Sequence, residues 1–364
     1  SYNNEIFSKP AHHITESFSY RPNQKFHVTF QGDINISNKS AKSQGDEYSN
    51  EYGQNTLYSN THQEKKVHNI STNADLLVKY IISEKRQIFV SGGYLYARTK
   101  SEIDLMTNNE NRSWINGKND YKAFNAKIEY DYNSKKGFSL NAGFQGNSIL
   151  NKGYSNYIFE DAASPFYNTT SDLREDELSL FATMNQKWNK FFITAGLRGS
   201  IFHSEYEQDK INSITDTSFK LFPRITAQWQ LNSDLLFIGS IIILNSRPMF
   251  RDISPLLNYV NPYLYEKGNS SLKSNDRYIY SLAMVWKNKF ALQGRYIHDA
   301  KAVLWKFTER PELNGALLNS PINVDYNTWL FDASYSDKIG IYRFAYNAQY
   351  RYIPTKIKFL DAYA

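Results

Sequence analysis

Residues 25–36 read KFHVTFQGDINI, and polar and apolar side chains alternate along them. One set consists of Phe26, Val28, Phe30, Gly32, Ile34 and Ile36. The other set consists of Lys25, His27, Thr29, Gln31, Asp33 and Asn35. Successive side chains of a β-strand point to opposite faces of the sheet. The stretch therefore predicts a strand with one apolar face and one polar face.

The same alternation recurs along the chain. We expect an outward-facing apolar set: Phe26, Val28, Phe30, Phe124, Ile128, Tyr130, Phe344 and Tyr346. We expect an inward-facing polar set: Asn125, Lys127, Glu129, Asn141, Gln145, Arg343 and Arg351. Such runs predict fourteen strands, near 11–20, 25–36, 67–82, 86–99, 120–132, 138–149, 176–188, 191–204, 217–231, 235–246, 276–287, 290–303, 324–336 and 339–352. Most have the length that a tilted strand needs to cross a membrane, about 9–11 residues or more.

The connections between these strands alternate between short and long. The short ones are 21–24, 83–85, 133–137, 189–190, 232–234, 288–289 and 337–338. The long ones fall near 37–66, 100–119, 150–175, 205–216, 247–275 and 304–323, and they are rich in polar residues. Outer-membrane barrels have tight periplasmic turns and long external loops, whereas a soluble sandwich has no reason to sort its loops by length.

Aromatic residues support the same interpretation. They make up 16% of the chain, although the mean hydropathy is −0.59. Composition alone also fits a soluble protein with an aromatic core or a carbohydrate-binding face. Outward-facing aromatics, however, flank nearly every short turn: Tyr20, Phe26, Tyr80, Tyr132, Phe138, Trp188, Phe191, Trp229, Trp286 and Phe290. Rings in this position form the girdle of a membrane barrel. We therefore predict an all-β, antiparallel transmembrane barrel spanning residues 1–364 in the bacterial outer membrane.

Other classes of protein find little support in the composition. The longest apolar run, 235–244, is interrupted by Gly239 and Ser240 and is too short for a membrane-spanning helix. Both faces of this run are apolar, so either a plug or inserted loop covers the inner face, or the strand packs against something else. The net charge of +6 is small, and the basic residues are scattered, so no nucleic-acid partner is predicted.

No catalytic, cofactor or metal site is predicted, and we do not expect an enzyme. The chain has no cysteine, and none of its 7 histidines has the close His or carboxylate spacing of a metal motif. An acidic cluster stands beside Arg174 at Asp172, Glu175, Asp176 and Glu177. We interpret it as a solvated rim, because one strand does not make oxygen ligands converge on a cation.

The segment 221–303 carries a series of motifs. They are Phe222-Pro223, Arg247-Pro248, Ile253-Ser254-Pro255, Asn261-Pro262-Tyr263 and Gly268-Asn269 followed by Leu272-Lys273. Their order and spacing resemble the outer-membrane β-barrel family of TonB-dependent-receptor-like proteins abundant in Bacteroidetes. The segment departs from that pattern at Ser254, at Ser274-Asn275 and in the apolar stretch 241–244. Over the rest of the chain the resemblance is architectural.

The resemblance implies a receptor that binds a siderophore, glycan or peptide at its external loops and takes it up. Energy would come from a TonB complex acting on a plug domain that is absent from this sequence, and a surface lipoprotein partner is also implied. The prolines of the 247–275 connection restrict its backbone, so we expect an external, partly ordered loop. Its candidate ligand contacts are Arg247, Phe250, Arg251, Tyr259, Tyr263 and Tyr265.

A different function is also compatible with the pattern, namely a self-contained fourteen-stranded passive channel or structural surface protein. The two hypotheses differ in what they predict for the first and last strands. A receptor of this family resembles barrels of about 22 strands, so the chain would be an incomplete barrel. The strands near 11–20 and 339–352 would then not be fully paired with each other, whereas a closed channel requires a continuous ladder between them.

Overall fold

A computed structural model of the chain describes residues 2–8, 11–51, 54–108, 111–134, 136–159, 168–209, 212–254, 257–261, 264–310, 316–354 and 360–361. The strands are β1 (Tyr2–Ser8), β2 (His12–Tyr20), β3 (Phe26–Glu51), β4 (Gln54–Ser83), β5 (Arg86–Thr107), β6 (Asn111–Asn133), β7 (Phe138–Phe159), β8 (Thr169–Trp188), β9 (Phe191–Gln208), β10 (Asn212–Gln230), β11 (Leu235–Ser246), β12 (Leu257–Asn261), β13 (Leu264–Lys267), β14 (Asn275–Trp286), β15 (Phe290–Arg310), β16 (Ala316–Ile339), β17 (Tyr342–Tyr352) and β18 (Leu360–Asp361). One helical turn, α1 (Phe250–Ile253), follows β11.

All fourteen predicted strands are present and form one antiparallel meander. Each of β2 to β10 pairs with the next strand, β11 pairs with β14, and the ladder continues through β15 and β16 to β17. The short strand β1 extends the line of β2 along the same edge of β3. Two parallel contacts, β13 with β16 and β15 with β18, lie outside this meander.

The predicted facing is confirmed. The ladder register places Lys127 opposite Gln145 and Asp131 opposite Asn141, so these polar residues share one face, which we call the inner face. Exposed apolar side chains lie on the opposite, outer face, including Phe30, Phe124, Ile128, Leu180, Tyr346 and Tyr350. Two of the aromatics predicted beside the short turns, Phe191 and Trp229, have stacked rings with centroids 5.8 Å apart.

Polar side chains on the inner face are bonded to one another. The Asn141 amide donates to Asp131 at 2.6 Å, and the Lys127 ammonium lies 2.8 Å from Glu129. Two strands further on, the hydroxyls of Ser179 and Ser200 are 2.8 Å apart, and Ser200 is completely buried. On these strands the inner face is thus a hydrogen-bonded polar surface, and the outer face is its apolar complement. In the described part of the chain no helix is long and apolar enough to cross a membrane.

Strand length is where the sequence prediction falls short. The turn-side ends agree with the predicted bounds to within a few residues, but the opposite ends continue far beyond them. For example, β3 extends to Glu51 and β4 begins at Gln54, so most of the predicted 37–66 loop is a long β-hairpin. The predicted long loops 100–119, 150–175, 205–216 and 304–323 are likewise largely strand. Of the predicted turns, only the last is displaced, from 337–338 to Gly340 and Ile341, because Gly340 takes the positive φ of 63° that a tight turn uses.

The two ends of the meander are open. In the residues that the structure describes, no ladder joins β2 to β17. This agrees with the expectation that the strands near 11–20 and 339–352 are not fully paired with each other. Side chains on both faces of each strand are exposed. Unpaired backbone N–H and C=O groups are not tolerated in hydrocarbon, so these edges need partner strands in a membrane.

The facing assignment is tested by a pair of neighbouring substitutions in β6. The Ile128 side chain is 53% exposed on the outer face, whereas Lys127 lies on the inner face beside Glu129. We expect Ile128→Arg to lower the stability of the membrane-inserted protein by about 2–4 kcal/mol, because it places a charge against hydrocarbon. Lys127→Arg keeps an inner-face charge and should be nearly neutral. The measurement is the free energy of unfolding in urea from lipid vesicles. An equal decrease for both substitutions would contradict the assignment.

Candidate functional site

Residues 247–274, which we call the strap, connect β11 to β14 and differ from the described parts of the other connections. The strap contains α1, β12 and β13, rather than a simple continuation of its two flanking strands. Its first helical turn is closed locally. The Met249 amide donates to the Asp252 carboxylate at 2.9 Å, and the Asp252 amide donates back to the Met249 carbonyl at 2.9 Å. The strap is therefore an ordered element in its described parts.

The Gly268-Asn269 pair locks the strap against its own helical turn. The Asn269 amide donates to the Asp252 carbonyl at 2.6 Å. A Cβ atom at position 268 would lie within 2.8 Å of the carbonyl oxygens of Arg251 and Asp252, and even closer to that of Ser254. Only glycine fits at such a close backbone approach. This explains physically why the sequence carries Gly-Asn at this point.

On one side the strap contacts the β15–β16 hairpin. The Asn269 side-chain amide donates to the Pro321 carbonyl at 3.1 Å, and the Lys273 amide donates to the Asn323 side chain at 2.7 Å. Strand β13 pairs in parallel with the external end of β16. Arg251 stacks over Trp305 of β15, with its guanidinium carbon 5.0 Å from the ring centroid.

On its other side the strap contacts β8 and β9. The Arg247 guanidinium lies 3.5 Å from the Glu175 carboxylate and 4.9 Å from the centre of the Phe202 ring. The buried Tyr206 hydroxyl interacts with the hydroxyl of Ser254. Strands β8 and β9 are not sheet neighbours of β15 and β16, so the strap bridges two separate parts of the inner surface.

A cavity of about 360 Å³ lies between the strap and the inner face of β8, β9 and β10. Its wall side carries Glu175, Phe202, Tyr206 and Asp216, and its strap side carries Arg247 and Lys273. Ligand pockets in proteins usually measure about 300–1,000 Å³, so this cavity suits a small molecule. It combines apolar surface with charges of both signs.

The cavity lies beyond the membrane-spanning part of the wall. On β8 the outer face changes from exposed Leu178 to an ion pair between Arg174 and Asp176, 2.8 Å apart. Glu175 is level with that charged pair but points to the inner face. Burial raises the pKa of the Glu175 carboxyl above its usual value, and Arg247 offsets this only in part. Burial also raises the pKa of Tyr206 to about 12.

A second cavity of about 330 Å³ adjoins the first along the same wall. The two share Phe202, Asn245 and Arg247, so the stacked Arg247–Phe202 pair stands between them. The second cavity contains Arg198 and Glu177, which form a 2.5 Å ion pair. Polar space therefore continues past the Arg247–Phe202 pair along the inner face. Leu244, at the external end of the apolar strand β11, also borders this second cavity.

The predicted ligand contacts are only partly brought together. Arg247 lines the cavity, but Arg251 is exposed and pairs with Glu266 at 2.8 Å outside it. Tyr265 is half-buried on β13, and burial raises its pKa. Tyr263 and the side chains of Phe250 and Tyr259 lie outside the described residues. Their predicted contact roles stay predictions.

The main residue that the sequence prediction missed is Glu175. We interpreted the acidic cluster 172–177 as a solvated rim, but the strand separates it into two faces. Asp176 lies on the outer face with Arg174, while Glu175 is half-buried on the inner face beside Arg247. Period-two facing alone, continued one step beyond the predicted strand 176–188, would have found this difference.

Sequence comparison places residues 83–340 in the outer membrane protein beta-barrel family. The match covers more than half of the chain, so the chain belongs to that family, and its location is the bacterial outer membrane. No curated protein is similar enough in sequence to count as a match.

Solved structures with a similar fold include three receptors. The ferric yersiniabactin uptake receptor FyuA from Yersinia pestis has a TM-score of 0.56 and 9% identity, with 97% of this chain and 61% of that chain covered. BauA, the ferric preacinetobactin receptor from Acinetobacter baumannii, has a TM-score of 0.51 and 10% identity, with 98% of this chain and 62% of that chain covered. The siderophore receptor PiuA from Acinetobacter baumannii has a TM-score of 0.51 and 10% identity, with 96% of this chain and 63% of that chain covered. At these identities the likeness shows the fold alone, and this chain spans less than two thirds of each receptor.

Gly268→Ala tests how the strap is held. The added methyl group collides with backbone carbonyls, so we expect overpacking to weaken strap docking by about 1–3 kcal/mol. The measurement is the rate of limited proteolysis within residues 247–274, which should rise. Gly239→Ala is the matched control, because a Cβ there meets nothing within 4 Å. Unchanged proteolysis in Gly268→Ala would show that the close approach does not hold the strap.

Glu175→Gln tests the electrostatics of the cavity. Since burial raises the pKa of Glu175, the folded state penalises the ionised form. This penalty is full above the raised pKa, shrinks as the pH falls below it, and is absent below the ordinary carboxyl pKa. We therefore expect the glutamine variant to have a higher thermal midpoint than the native protein at pH 8, and the same midpoint at acidic pH. A lower midpoint at pH 8 would mean that the ion pair with Arg247 outweighs burial.

Proposed function

We propose that this chain is the barrel portion of a TonB-dependent outer-membrane receptor, which binds a scarce nutrient at its external mouth for uptake. The observation that carries the proposal is the strap. It contacts β8 and β9 on one side and β15 and β16 on the other. Between the strap and the inner face lies a cavity with both polar and apolar lining residues. The structures of similar fold named above are a ferric yersiniabactin uptake receptor, a ferric preacinetobactin receptor and a siderophore receptor, which supports the proposal.

The cargo would be a siderophore, glycan or peptide that enters between the strap and the wall of β8 to β10. Passage along the inner face would require the Arg247–Phe202 pair to move, because it stands between the two cavities. Such a movement needs an energy source, and we propose the TonB complex acting through a plug domain. A surface lipoprotein partner would cover the mouth from outside. The proposed role involves no covalent chemistry on the cargo.

A passive fourteen-stranded channel is the second candidate, but two observations favour the receptor. Free diffusion requires an unobstructed mouth, whereas the strap crosses between separate parts of the wall. A closed barrel of fourteen strands also requires a ladder between β2 and β17, and the described residues of those strands form none.

Uptake by living cells tests the proposal. The full-length protein is expressed in its own outer membrane, in cells with and without an active TonB complex. Ferric siderophore, oligosaccharide and peptide mixtures are supplied as labelled cargo. Deleting residues 248–273 should abolish uptake and leave the barrel inserted, because a connection tolerates change better than a ladder does. Loss of TonB should abolish uptake equally.

The control variant replaces residues 108–110, the connection between β5 and β6. It should take up cargo as the native protein does. Uptake that persists without TonB and without the strap would contradict the receptor and establish the passive channel.

A further inference from the structure

One ion pair in the cavity is unlike the others in the described part of the chain. Eight arginine–carboxylate pairs occur there, and seven of them have N···O distances between 2.5 and 2.8 Å. The eighth, Arg247 with Glu175, is at 3.5 Å. Strong charge-assisted hydrogen bonds have N···O distances of about 2.7–2.9 Å. Arg247 is therefore attracted to Glu175 without a full hydrogen bond to it.

The arginine atom in this long contact is Nη1. It is buried and, 3.5 Å from the Glu175 carboxylate, it has no hydrogen-bond partner. The guanidinium also lies over the Phe202 ring, which attracts the cation but supplies no oxygen or nitrogen acceptor. A buried donor without a partner costs free energy, so a ligand that supplies an acceptor there gains affinity. Carboxylates and phosphates are the acceptors that match the planar guanidinium.

The rest of the lining narrows the class of ligand. Arg247 and Lys273 contribute two cations, and Glu175 and Asp216 contribute two anions, so the charges of the cavity balance. A doubly charged phosphate would meet the two carboxylates as like charges. Leu173, Ile214 and Leu272 add apolar surface, which a neutral sugar does not fill well. A molecule with one carboxylate, one ammonium group and an apolar side chain satisfies each part of the lining.

We propose that the cavity binds a small zwitterion with an apolar part, which is the chemistry of an amino acid or short apolar peptide. This inference rests on the proposed receptor function and specifies its cargo class. The ligand carboxylate accepts a hydrogen bond from Nη1 of Arg247 and competes with Glu175 for that donor. The ligand ammonium lies near Asp216, and the apolar side chain packs among Leu173, Ile214 and Leu272.

The test measures binding of the dipeptide leucyl-alanine to the full-length protein in outer-membrane vesicles by equilibrium dialysis. Three versions of the probe are compared: free, N-acetylated, and amidated at the C-terminus. The free dipeptide should bind more tightly than either capped version. Arg247→Gln should weaken binding of the free dipeptide by at least about tenfold, since a charged hydrogen bond is lost. Amidated probe should be little affected by this substitution.

Two further variants separate recognition from mere structural support. Arg174→Gln is the matched control, because Arg174 is an ion-paired arginine of β8 that lies on the outer face, away from the cavity, so dipeptide binding should be unchanged. Glu175→Gln should bind the N-acetylated acid more tightly, because the competing carboxylate is gone. A purely structural ion pair would predict weaker binding in both Arg247→Gln and Glu175→Gln.

Several outcomes would overturn the inference. They are equal binding of free and capped dipeptides, equal weakening of dipeptide binding by Arg174→Gln and Arg247→Gln, or weaker binding in Glu175→Gln. If the native protein binds no dipeptide but still shows strap- and TonB-dependent uptake of another nutrient, the cargo class is wrong and the receptor function stands. If the dipeptide binds as described but no strap-dependent uptake occurs, the site stands and the receptor function is wrong.

Discussion

The structure depends on one constraint, which is that hydrocarbon offers no hydrogen bonds to a polypeptide backbone. Every N–H and C=O group at membrane depth must be bonded within the sheet, so the wall is built from long paired strands. Pairing alone does not decide which face meets the lipid. That decision comes from the alternation of side chains, which gives each strand one apolar and one polar face. The inner face can then hold buried hydroxyls such as Ser179 and Ser200 because each has a partner on the neighbouring strand.

This constraint also explains which parts of the fold were readable from sequence. At membrane depth the two faces have different solvents, so the pattern of residues 25–36 marks a strand and its orientation unambiguously. Beyond the membrane both faces meet water, and the alternation disappears although the ladder continues. The extension of β3 to Glu51 was therefore invisible, and the long hairpins were predicted as loops. The turn-side ends were accurate because tight turns and aromatic rings mark them.

The candidate site was predictable to a smaller extent. Arg247 was identified because it belongs to a motif with a restricted backbone. Its partner Glu175 was not, because their contact joins the strap to a strand that precedes it by many residues, and single-sequence periodicity carries no information on such docking. The reason for Gly268 is equally non-local, since its neighbours are carbonyl groups of the helical turn in the same strap. Packing between distant segments determines the site, while local pattern determines the wall.

The central claim is that β8 passes from lipid to water along its outer face while its inner face stays polar. It can be measured directly, because the chain has no cysteine and single cysteines can be introduced for spin labelling. Labels are placed one at a time from Asp172 to Trp188, and their collision rates with oxygen and with a water-soluble nickel chelate are recorded. The account predicts high oxygen access at Leu178, Leu180 and Met184, low oxygen access at Ser179 and Thr183, and high chelate access at Asp172 and Arg174. Uniform access along the strand, or lipid contact at Ser179 and Thr183, would contradict it.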